Sequence, residues 1–523
     1  MNRFMFPPFA HNLVRMSSHR LFPVLPALLI AIVLPGALPL AHAGETHEYR
    51  VSIDAGMSRM SVDARFGAPV DSVTAKSNDA GQYLVDARDC DVQSTIRLRN
   101  RRMMLPAGGI RCMHYTVDLE SAAASVHHNR ELATENIVVS SALWLWRPSL
   151  KDNSEIRIRF ELPTGMQVAV PWQPLGHDGR LFRFGESPES SEAPAVFGTF
   201  EYREVDVPGA TLRVSMLQGN AQLGNGIDNA SIEEWLRTTA TDVSLAYGRF
   251  PNPSPQVVVI PVGKDEGQSR RGESAVPFGR VVRDGGEAIE LFIDRSQSLD
   301  AFLSDWTVTH EFSHLMLPYV EPAHRWISEG FAQYYQNVLL ARAGTYDPQT
   351  AWQNLYDGLE RGRQSRPELS PNEATDRGMR TARMKIYWSG AAIALMADVA
   401  LRERSGGEMT LDDVMGRLQA CCLPSDRTWS GPELFETLDM LADAPVFMPL
   451  YRRYADTAGF PDARPLFERL GIAIADDKVR IMKGGELKGI RSAITHWDRD
   501  TAARRAQLAK VSAHARAGSA GSR

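Results

Sequence analysis

The stretch from Trp306 to Leu317 reads Trp-Thr-Val-Thr-His-Glu-Phe-Ser-His-Leu-Met-Leu. Its two histidines, His310 and His314, are four residues apart, so on a helix they lie on one face about one turn apart. Two imidazoles in this arrangement can bind one metal ion, with Glu311 beside them facing the open coordination position. The apolar residues around the histidines are typical of a helix that packs in a core. This stretch therefore predicts a metal-binding core helix.

A second segment supplies a third candidate ligand. Pro318 and Pro322 end the first helix, and a second helix begins near Trp326. Glu329 follows His314 by 15 positions, and the turn between them lets the two helices fold back antiparallel, which brings Glu329 to the same metal. Two neutral imidazoles and a carboxylate, with a fourth position open to water, are the ligands of a catalytic zinc ion. We therefore expect one Zn²⁺ per chain.

The two segments together resemble the gluzincin zinc peptidases, whose pattern is His-Glu-x-x-His followed by Trp-x-x-Glu-Gly-x-Ala. Within that group the chain is most similar to the glycyl aminopeptidase branch, which is related to the leukotriene-hydrolase aminopeptidases. The resemblance extends to Lys385-Ile-Tyr-Trp-Ser-Gly390, where those families carry Tyr-x-Lys-Gly. It implies that Tyr387 stabilises the oxyanion of the tetrahedral intermediate. Ser389 stands in the place of the family lysine.

The resemblance implies a zinc metallopeptidase that hydrolyses peptides or proteins with a zinc-activated water, Glu311 acting as the base. It favours an aminopeptidase. The family motif Gly-x-Met-Glu-Asn, whose Glu binds the free amino group of the substrate, is not recognisable here. In its approximate place stands Gly285-Gly-Glu-Ala-Ile-Glu290, so Glu287 and Glu290 are the candidate substrate-binding residues.

Two alternative functions remain open at this point. Because the amino-group motif is not recognisable, the chain could be a zinc endopeptidase. It could also be a catalytically inactive, zinc-bearing binding protein of the cell envelope, although the intact Glu311 and Tyr387 argue against this.

The order of sequence patterns predicts a multidomain α+β protein. Residues 44–218 alternate apolar and polar side chains, as in Glu155-Ile-Arg-Ile-Arg-Phe-Glu-Leu162, which indicates a β-sandwich-like N-terminal domain. The resemblance to the gluzincins implies that residues 219–410 form a thermolysin-like catalytic domain. The pattern of these residues predicts a helix capped by Ser231 and Glu234 and a hairpin turning near Gly285. A helical region at 411–499 and a disordered tail at 500–523 follow.

Composition and charge narrow the function classes. The chain has 523 residues, of which 43% are hydrophobic and 23% charged, as in ordinary globular proteins. Its net charge of −5, together with the lack of a basic cluster in the body of the chain, argues against a nucleic-acid partner.

Residues 1–43 are predicted to be a signal peptide. Arg3, Arg15 and Arg20 precede an uncharged apolar run, and Ala41-His42-Ala43 supplies a small-x-small cleavage pattern. Removing three arginines and no acidic residue takes the net charge from −5 to −8. We expect an exported protein, periplasmic or secreted, with no membrane span after cleavage.

Export to an oxidising compartment bears on the four cysteines. Cys90 and Cys112 are candidates for a disulfide in the N-terminal domain. Cys421 and Cys422 are adjacent and cannot readily pair without strain, so they are expected to be buried thiols. Asp305, just before the first metal-binding helix, is a candidate to orient a ligand imidazole.

Overall fold

The computed structural model describes residues 45–496 except 100–101, 127–128, 130–131, 133–134, 151–153, 186–187, 189–192, 220–225 and 263–273. These described residues belong to one compact unit. The predicted signal peptide at 1–43 and the predicted tail at 500–523 lie outside them.

The N-terminal region consists mainly of short strands. In chain order its elements are β1 (Thr46–Ile53), β2 (Arg59–Val70), β3 (Ser72–Thr74), α1 (Ala80–Tyr83), β4 (Leu84–Asp89), β5 (Arg97–Arg99), β6 (Arg102–Met104), β7 (Ile110–Asp118), α2 (Leu119–Ala124), β8 (Asn136–Ser140), a 3₁₀ turn (Ser141–Leu143), β9 (Glu155–Glu161), β10 (Gln167–Ala169), β11 (Gln173–Pro174), β12 (Leu181–Phe184) and β13 (Pro194–Gly198).

These strands form two packed sheets and a small ribbon. The larger sheet has the order β11-β12-β9-β1-β2-β7-β4, and the smaller has the order β10-β13-β8; strands β3, β6 and β5 form the ribbon. Alternate residues of each long strand are buried, for example Ile156, Ile158 and Phe160 of β9, and they share one core with Val139 and Phe197 of the second sheet. The predicted β-sandwich-like arrangement follows from this alternation, because each sheet has one apolar face to cover.

The second part of the chain adds a mixed sheet and long helices. In chain order its elements are β14 (Glu201–Val207), β15 (Ala210–Met216), α3 (Asn229–Val243), β16 (Gln256–Pro261), β17 (Phe278–Arg283), β18 (Glu287–Ile293), α4 (Leu299–Ser304), α5 (Thr307–His314), a 3₁₀ turn (Pro322–His324), α6 (Arg325–Arg342), α7 (Pro348–Gln364), α8 (Pro371–Arg377), α9 (Met379–Ser405), α10 (Leu411–Cys422), α11 (Gly431–Ala442), α12 (Phe447–Tyr454), α13 (Arg464–Arg469), β19 (Ile472–Ala475), β20 (Lys478–Ile481) and α14 (Lys488–Thr495).

The mixed sheet has the order β14-β15-β16-β18-β17, so β17 is an edge strand. One face of the sheet, including Ile289 and Leu291, packs into the helical core. The other face, including Val258 and Phe292, packs against residues of the N-terminal strands. Burial on both faces explains why β16 and β18 contain so many consecutive apolar residues.

Three local predictions differ from the structure. The alternation in 210–216 predicted a strand, but β15 pairs with β16 and not with the N-terminal sheets, because a period of two does not specify the partner strand. Helix α3 is capped by Asp228, whose side chain accepts a hydrogen bond from Ser231 N. The region predicted to be helical contains the hairpin β19–β20, with Asp476 and Asp477 at positive φ in its turn.

The cysteines form two disulfides. Cys90 pairs with Cys112, as predicted. The expectation for Cys421 and Cys422 is wrong, because these adjacent residues are bonded to each other and are not buried. They are the last two residues of α10, and Leu423 after them is extended, so no continuing helix constrains the backbone at this pair.

Helix α9 lies inside the helical core. By length and composition it is the one helix among the described residues that could cross a membrane, and 78% of its most apolar window is buried within the protein. It packs against α6 and α7. That no segment spans a membrane stays a prediction.

Helices α6 and α9 approach each other most closely at two glycines. A Cβ atom at Gly330 would lie 2.2 Å from Gly390 Cα, and a Cβ atom at Gly390 would lie 2.0 Å from the carbonyl oxygen of Trp326. Both contacts are with backbone atoms, which cannot move aside as a flexible side chain can. The two helices can therefore meet at this distance only because both positions are glycine.

We predict that Gly330→Ala destabilises the protein by about 3 kcal/mol, because the added methyl group forces the two backbones apart. Urea denaturation measures this change. Gly489→Ala is the matched control, since a Cβ atom at Gly489 of α14 meets no heavy atom within 4 Å; its stability should change by less than about 1 kcal/mol. Equal stability of Gly330→Ala and the wild-type protein would contradict the proposed constraint.

Candidate metal centre

Helix α5 holds His310 and His314 on the same face. Their rings lie 4.8 Å apart between centroids and nearly perpendicular to each other. Val308 and Phe312 of the same helix are fully buried. The apolar side chains thus anchor the helix in the core. The anchored helix in turn sets the positions of the two imidazoles.

Glu329 of α6 completes a cluster of three possible ligands. Its Oε2 atom lies 3.5 Å from Nε2 of His310 and 3.5 Å from Nε2 of His314. Three ligands at about 2.0–2.1 Å from a tetrahedral zinc ion stand at nearly this separation from one another. Glu329 Oε2 is buried and has no hydrogen-bond partner among the described residues. This orphaned acceptor between two imidazole nitrogens fits a metal ion.

The electrostatic environment favours an ionised Glu329. Burial alone would raise the pKa of its carboxyl group, but the contacts with His310 and His314 hold the pKa well below its ordinary value. Among the described residues, these three form the one group of histidines, cysteines and carboxylates close enough together to hold a metal ion. The nitrogen and oxygen atoms of this set suit zinc.

Ser328 orients one of the ligand histidines, and Asp305 fixes the start of the helix that carries both. Nδ1 of His314 lies 3.1 Å from Oγ of Ser328, a contact that fixes the imidazole as hydrogen bonds to ligand histidines commonly do. Asp305 does not contact an imidazole; its carboxylate accepts hydrogen bonds from Thr307 N, Ser274 Oγ and Val276 N. It thereby fixes the start of α5 instead.

Glu311 and Tyr387 flank the cluster. The ring of Tyr387, on α9, stacks on the imidazole of His310 at 5.6 Å. Burial raises the pKa of Tyr387 well above its ordinary value, and the carboxylates of Glu329 and Glu311 raise it further, so the phenol stays protonated. A Cβ atom at Gly279 of the edge strand β17 would lie 2.7 Å from Glu311 Cγ. Glycine at this position therefore leaves room for the Glu311 side chain.

A cavity of about 410 Å³ opens beside these residues, within the usual size of small-ligand sites. His310, Glu311 and Tyr387 line one part of it. The remaining lining comes from the edge strand β17, from α6 and α7, and from the segment of α9 around Tyr387; it includes Gly279, Gln333, Gln336, Asn337, Asn354, Asp357, Arg361, Arg383 and Trp388.

Glu287 and Glu290 do not line this cavity. Glu290 alternates with Ile289 and Leu291 along β18 and lies on the sheet face that is turned away from α5, where it pairs with Arg280. Glu287 lies on the helical face, but its carboxylate contacts Arg283 and Asn252.

Glu287 acts on the site indirectly through Arg283. The guanidinium of Arg283 donates hydrogen bonds to the carbonyl oxygens of His314 and Leu317 at 3.0 and 3.1 Å. A cation that caps the C-terminal end of a helix satisfies its open carbonyl groups and its dipole. The buried pair of Arg283 and Glu287 thus fixes the end of α5 that carries His314.

Sequence reasoning missed several residues at this site. Ser328 and Arg283 carry no motif, and Gly279 lies in an unremarkable strand. Arg361 and Arg383 reach the cavity from helices whose packing is not visible in a linear sequence. Of these residues, only Ser328 could have been suspected from the sequence, because it immediately precedes the predicted metal ligand Glu329.

Comparisons with known proteins bear on this geometry. The family model of the M61 glycyl aminopeptidases matches residues 319–392. The fold is similar to that of an aminopeptidase N family protein from Idiomarina loihiensis, with 14% identity, a TM-score of 0.59 and coverage of 82% of this chain and 79% of that chain. It is also similar to a variant M1 zinc metallopeptidase from Deinococcus radiodurans bound to a Tyr-Ser-Ala substrate, with 14% identity, a TM-score of 0.50 and coverage of 80% and 96%. A search among curated proteins found no match.

The predicted multidomain α+β fold class is confirmed, and the comparisons support the predicted similarity to the gluzincin zinc metallopeptidases. At 14% identity the solved structures show the fold, while the family match covers the segment that contains Glu329 and Tyr387. That segment is similar to the M61 glycyl aminopeptidases.

Proposed function

We propose that the protein is an exported zinc aminopeptidase that binds one zinc ion through His310, His314 and Glu329. The observation that carries this proposal is the convergence of three metal-ligand atoms, with the ligand residue His310 lining the same cavity as Glu311 and Tyr387. A metal site with no base and no hydrogen-bond donor nearby would suit a structural or storage role. Here both groups stand at the cavity wall.

The chemistry follows from the donor set and its neighbours. Zinc, when bound here, lowers the pKa of a coordinated water and polarises the carbonyl of the scissile bond. Glu311 takes the proton of the attacking water and passes it to the leaving amine. Tyr387, kept protonated by its surroundings, donates a hydrogen bond to the oxyanion. Loss of one such donor costs about 3 kcal/mol of transition-state stabilisation in other enzymes.

The aminopeptidase assignment rests on the similarity to the glycyl aminopeptidases over residues 319–392 and on the cavity lining. Asp357 lines the cavity in addition to Glu311, and a carboxylate is the group that pairs with the ammonium of a free N-terminus. An endopeptidase is the second candidate. The observation that favours it is the position of Glu287 and Glu290, neither of which lines the cavity.

We predict that Glu311→Gln keeps its zinc but loses at least about 100-fold in kcat, because the amide cannot accept the proton. Metal analysis and peptide hydrolysis measure the two properties on the same sample. Glu290→Gln is the matched control, since it makes the same substitution at a buried carboxylate on the other sheet face. Glu329→Ala should lose most of its zinc. Full activity of Glu311→Gln would refute the mechanism.

A second experiment separates the two peptidase functions. An aminopeptidase requires the charged N-terminus of its substrate, so we predict rapid cleavage of a short peptide and none of its N-acetylated form. The released amino acid and the remaining peptide are quantified by chromatography. Equal rates for both peptides would instead establish the endopeptidase.

Export is supported by the pattern of residues 1–43 and fits the two disulfides, which persist in oxidising compartments. We predict that the protein purified from its producing cell begins at Gly44, after cleavage that follows Ala43. Intact-mass measurement of the mature chain tests this. A chain that retains residues 1–43 would contradict removal of the segment.

A further inference from the structure

The cavity beside the metal centre contains two arginines that the mechanism does not use. Arg383 lies one helical turn before Tyr387 on α9, and Arg361 lies near the end of α7. Both line the cavity. Arg361 is exposed and Arg383 is half-buried, so both guanidinium groups can be reached by an anion that enters the cavity.

Each guanidinium rests on an aromatic ring. The Cζ atom of Arg383 lies 5.7 Å from the ring centroid of Tyr387, and that of Arg361 lies 5.6 Å from the ring of Trp388. A cation–π contact at this distance leaves the N–H groups of the guanidinium available to an anion. The two rings belong to adjacent residues, so both cations are held near the same turn of α9.

Neither arginine has a carboxylate partner among the described residues, whereas others on the same two helices do. Arg363 pairs with Glu360, and Arg402 pairs with Asp398. Asp357 stands four positions before Arg361, a spacing that commonly forms an ion pair. Its Oδ1 atom instead accepts a hydrogen bond from Gln353 at 2.7 Å. The two cations in the cavity are therefore available for a ligand.

The rest of the lining suits a peptide. Gln333, Gln336 and Asn337 of α6 line the cavity. Gln333 donates to the side-chain oxygen of Gln336, and Asn337 donates to the backbone oxygen of Gln333; the remaining amide atoms of these side chains can bond to a peptide backbone. Uncharged amides bind a backbone of any sequence, whereas two cations select an anion. The guanidinium fork matches the geometry of a carboxylate.

From these contacts we propose that Arg361 and Arg383 form a carboxylate-binding subsite, so that the enzyme selects peptides bearing a carboxylate close to the scissile bond. This inference rests on the proposed peptidase function and names its substrate class. The carboxylate is either the C-terminus of a very short peptide or the side chain of an aspartate or glutamate. In both cases the two arginines bind the same chemical group.

Three peptides with a free N-terminus test the proposal: an uncharged tripeptide as its free acid, the same tripeptide as its amide, and an amide with glutamate as the second residue. The amide of the uncharged tripeptide should have the lowest kcat/KM. A charged hydrogen bond to one of the carboxylates should raise kcat/KM by about 10- to 100-fold. Preference for the free acid identifies the C-terminus, and preference for the glutamate peptide identifies the side chain. Equal values for all three peptides overturn the proposal.

The variants Arg361→Gln and Arg383→Gln should each reduce this preference at least several-fold, measured as the ratio of kcat/KM for the carboxylate peptide to kcat/KM for the uncharged amide. Arg383→Lys should retain part of it, because the charge remains and the fork is lost. Arg363→Gln is the matched control on α7, and its preference should equal that of the wild-type protein. If the Arg361 and Arg383 variants retain the full preference, the proposal is wrong.

A binding measurement keeps this test independent of turnover. The zinc-loaded Glu311→Gln protein is titrated with the same three peptides by calorimetry, and the carboxylate peptide should bind about tenfold or more tightly than the uncharged amide. If no peptide is hydrolysed by the wild-type protein but this difference persists, the proposed function fails and the carboxylate subsite stands. If hydrolysis occurs and binding shows no difference, the subsite fails alone.

Discussion

The close approach of α6 and α9 at Gly330 and Gly390 is the constraint on which the rest of the site depends. Glu329 is the residue next to Gly330, and Tyr387 precedes Gly390 by three positions. The distance between the two backbones therefore sets the distance between a metal-ligand candidate and the phenol beside it. Helix α7 also packs against this turn of α9, because Gly358 and Gly362 leave room for the side chain of Trp388. Three helices thus meet around residues 387–390, and the cavity lies between them.

The position of α5 depends on a second constraint, at its two ends. Asp305 accepts hydrogen bonds at the N-terminal end, and Arg283, held by Glu287, donates to the carbonyl oxygens at the C-terminal end. A buried ion pair adds little net stability because both ions lose their hydration, but removal of either partner is costly. Here the pair connects the edge hairpin of the sheet to the helix that carries both histidines. The ion pair of Arg283 and Glu287 therefore acts by fixing the position of α5 relative to Gly279 and the cavity wall.

Local periodicity accounts for what the sequence could predict. The spacing of His310 and His314 is a property of a single helix, and Glu329 required only the further step that two helices joined by a short turn fold back on each other. The partner of β15, the bond between Cys421 and Cys422 and the hairpin at 472–481 were missed. The partner of β15 depends on contacts between segments that are distant in the sequence. The hairpin, in contrast, was visible in Ile-Ala-Ile-Ala-Asp-Asp-Lys-Val-Arg-Ile, where alternating apolar and polar residues surround a two-residue turn. Arg361 and Arg383 could not be found, because their shared cavity exists only once α7 has packed against α9.

The charges around the cavity are distributed in a way that serves both substrate binding and catalysis. Glu311 and Glu329 place negative charge next to Tyr387, and with burial they keep its phenol protonated. Arg383 lies over the same ring and acts in the opposite direction by lowering the pKa of the phenol. Arg383 lines the cavity and also lies over the ring of Tyr387, so a substrate group bound by this arginine lies close to the phenol that donates to the oxyanion.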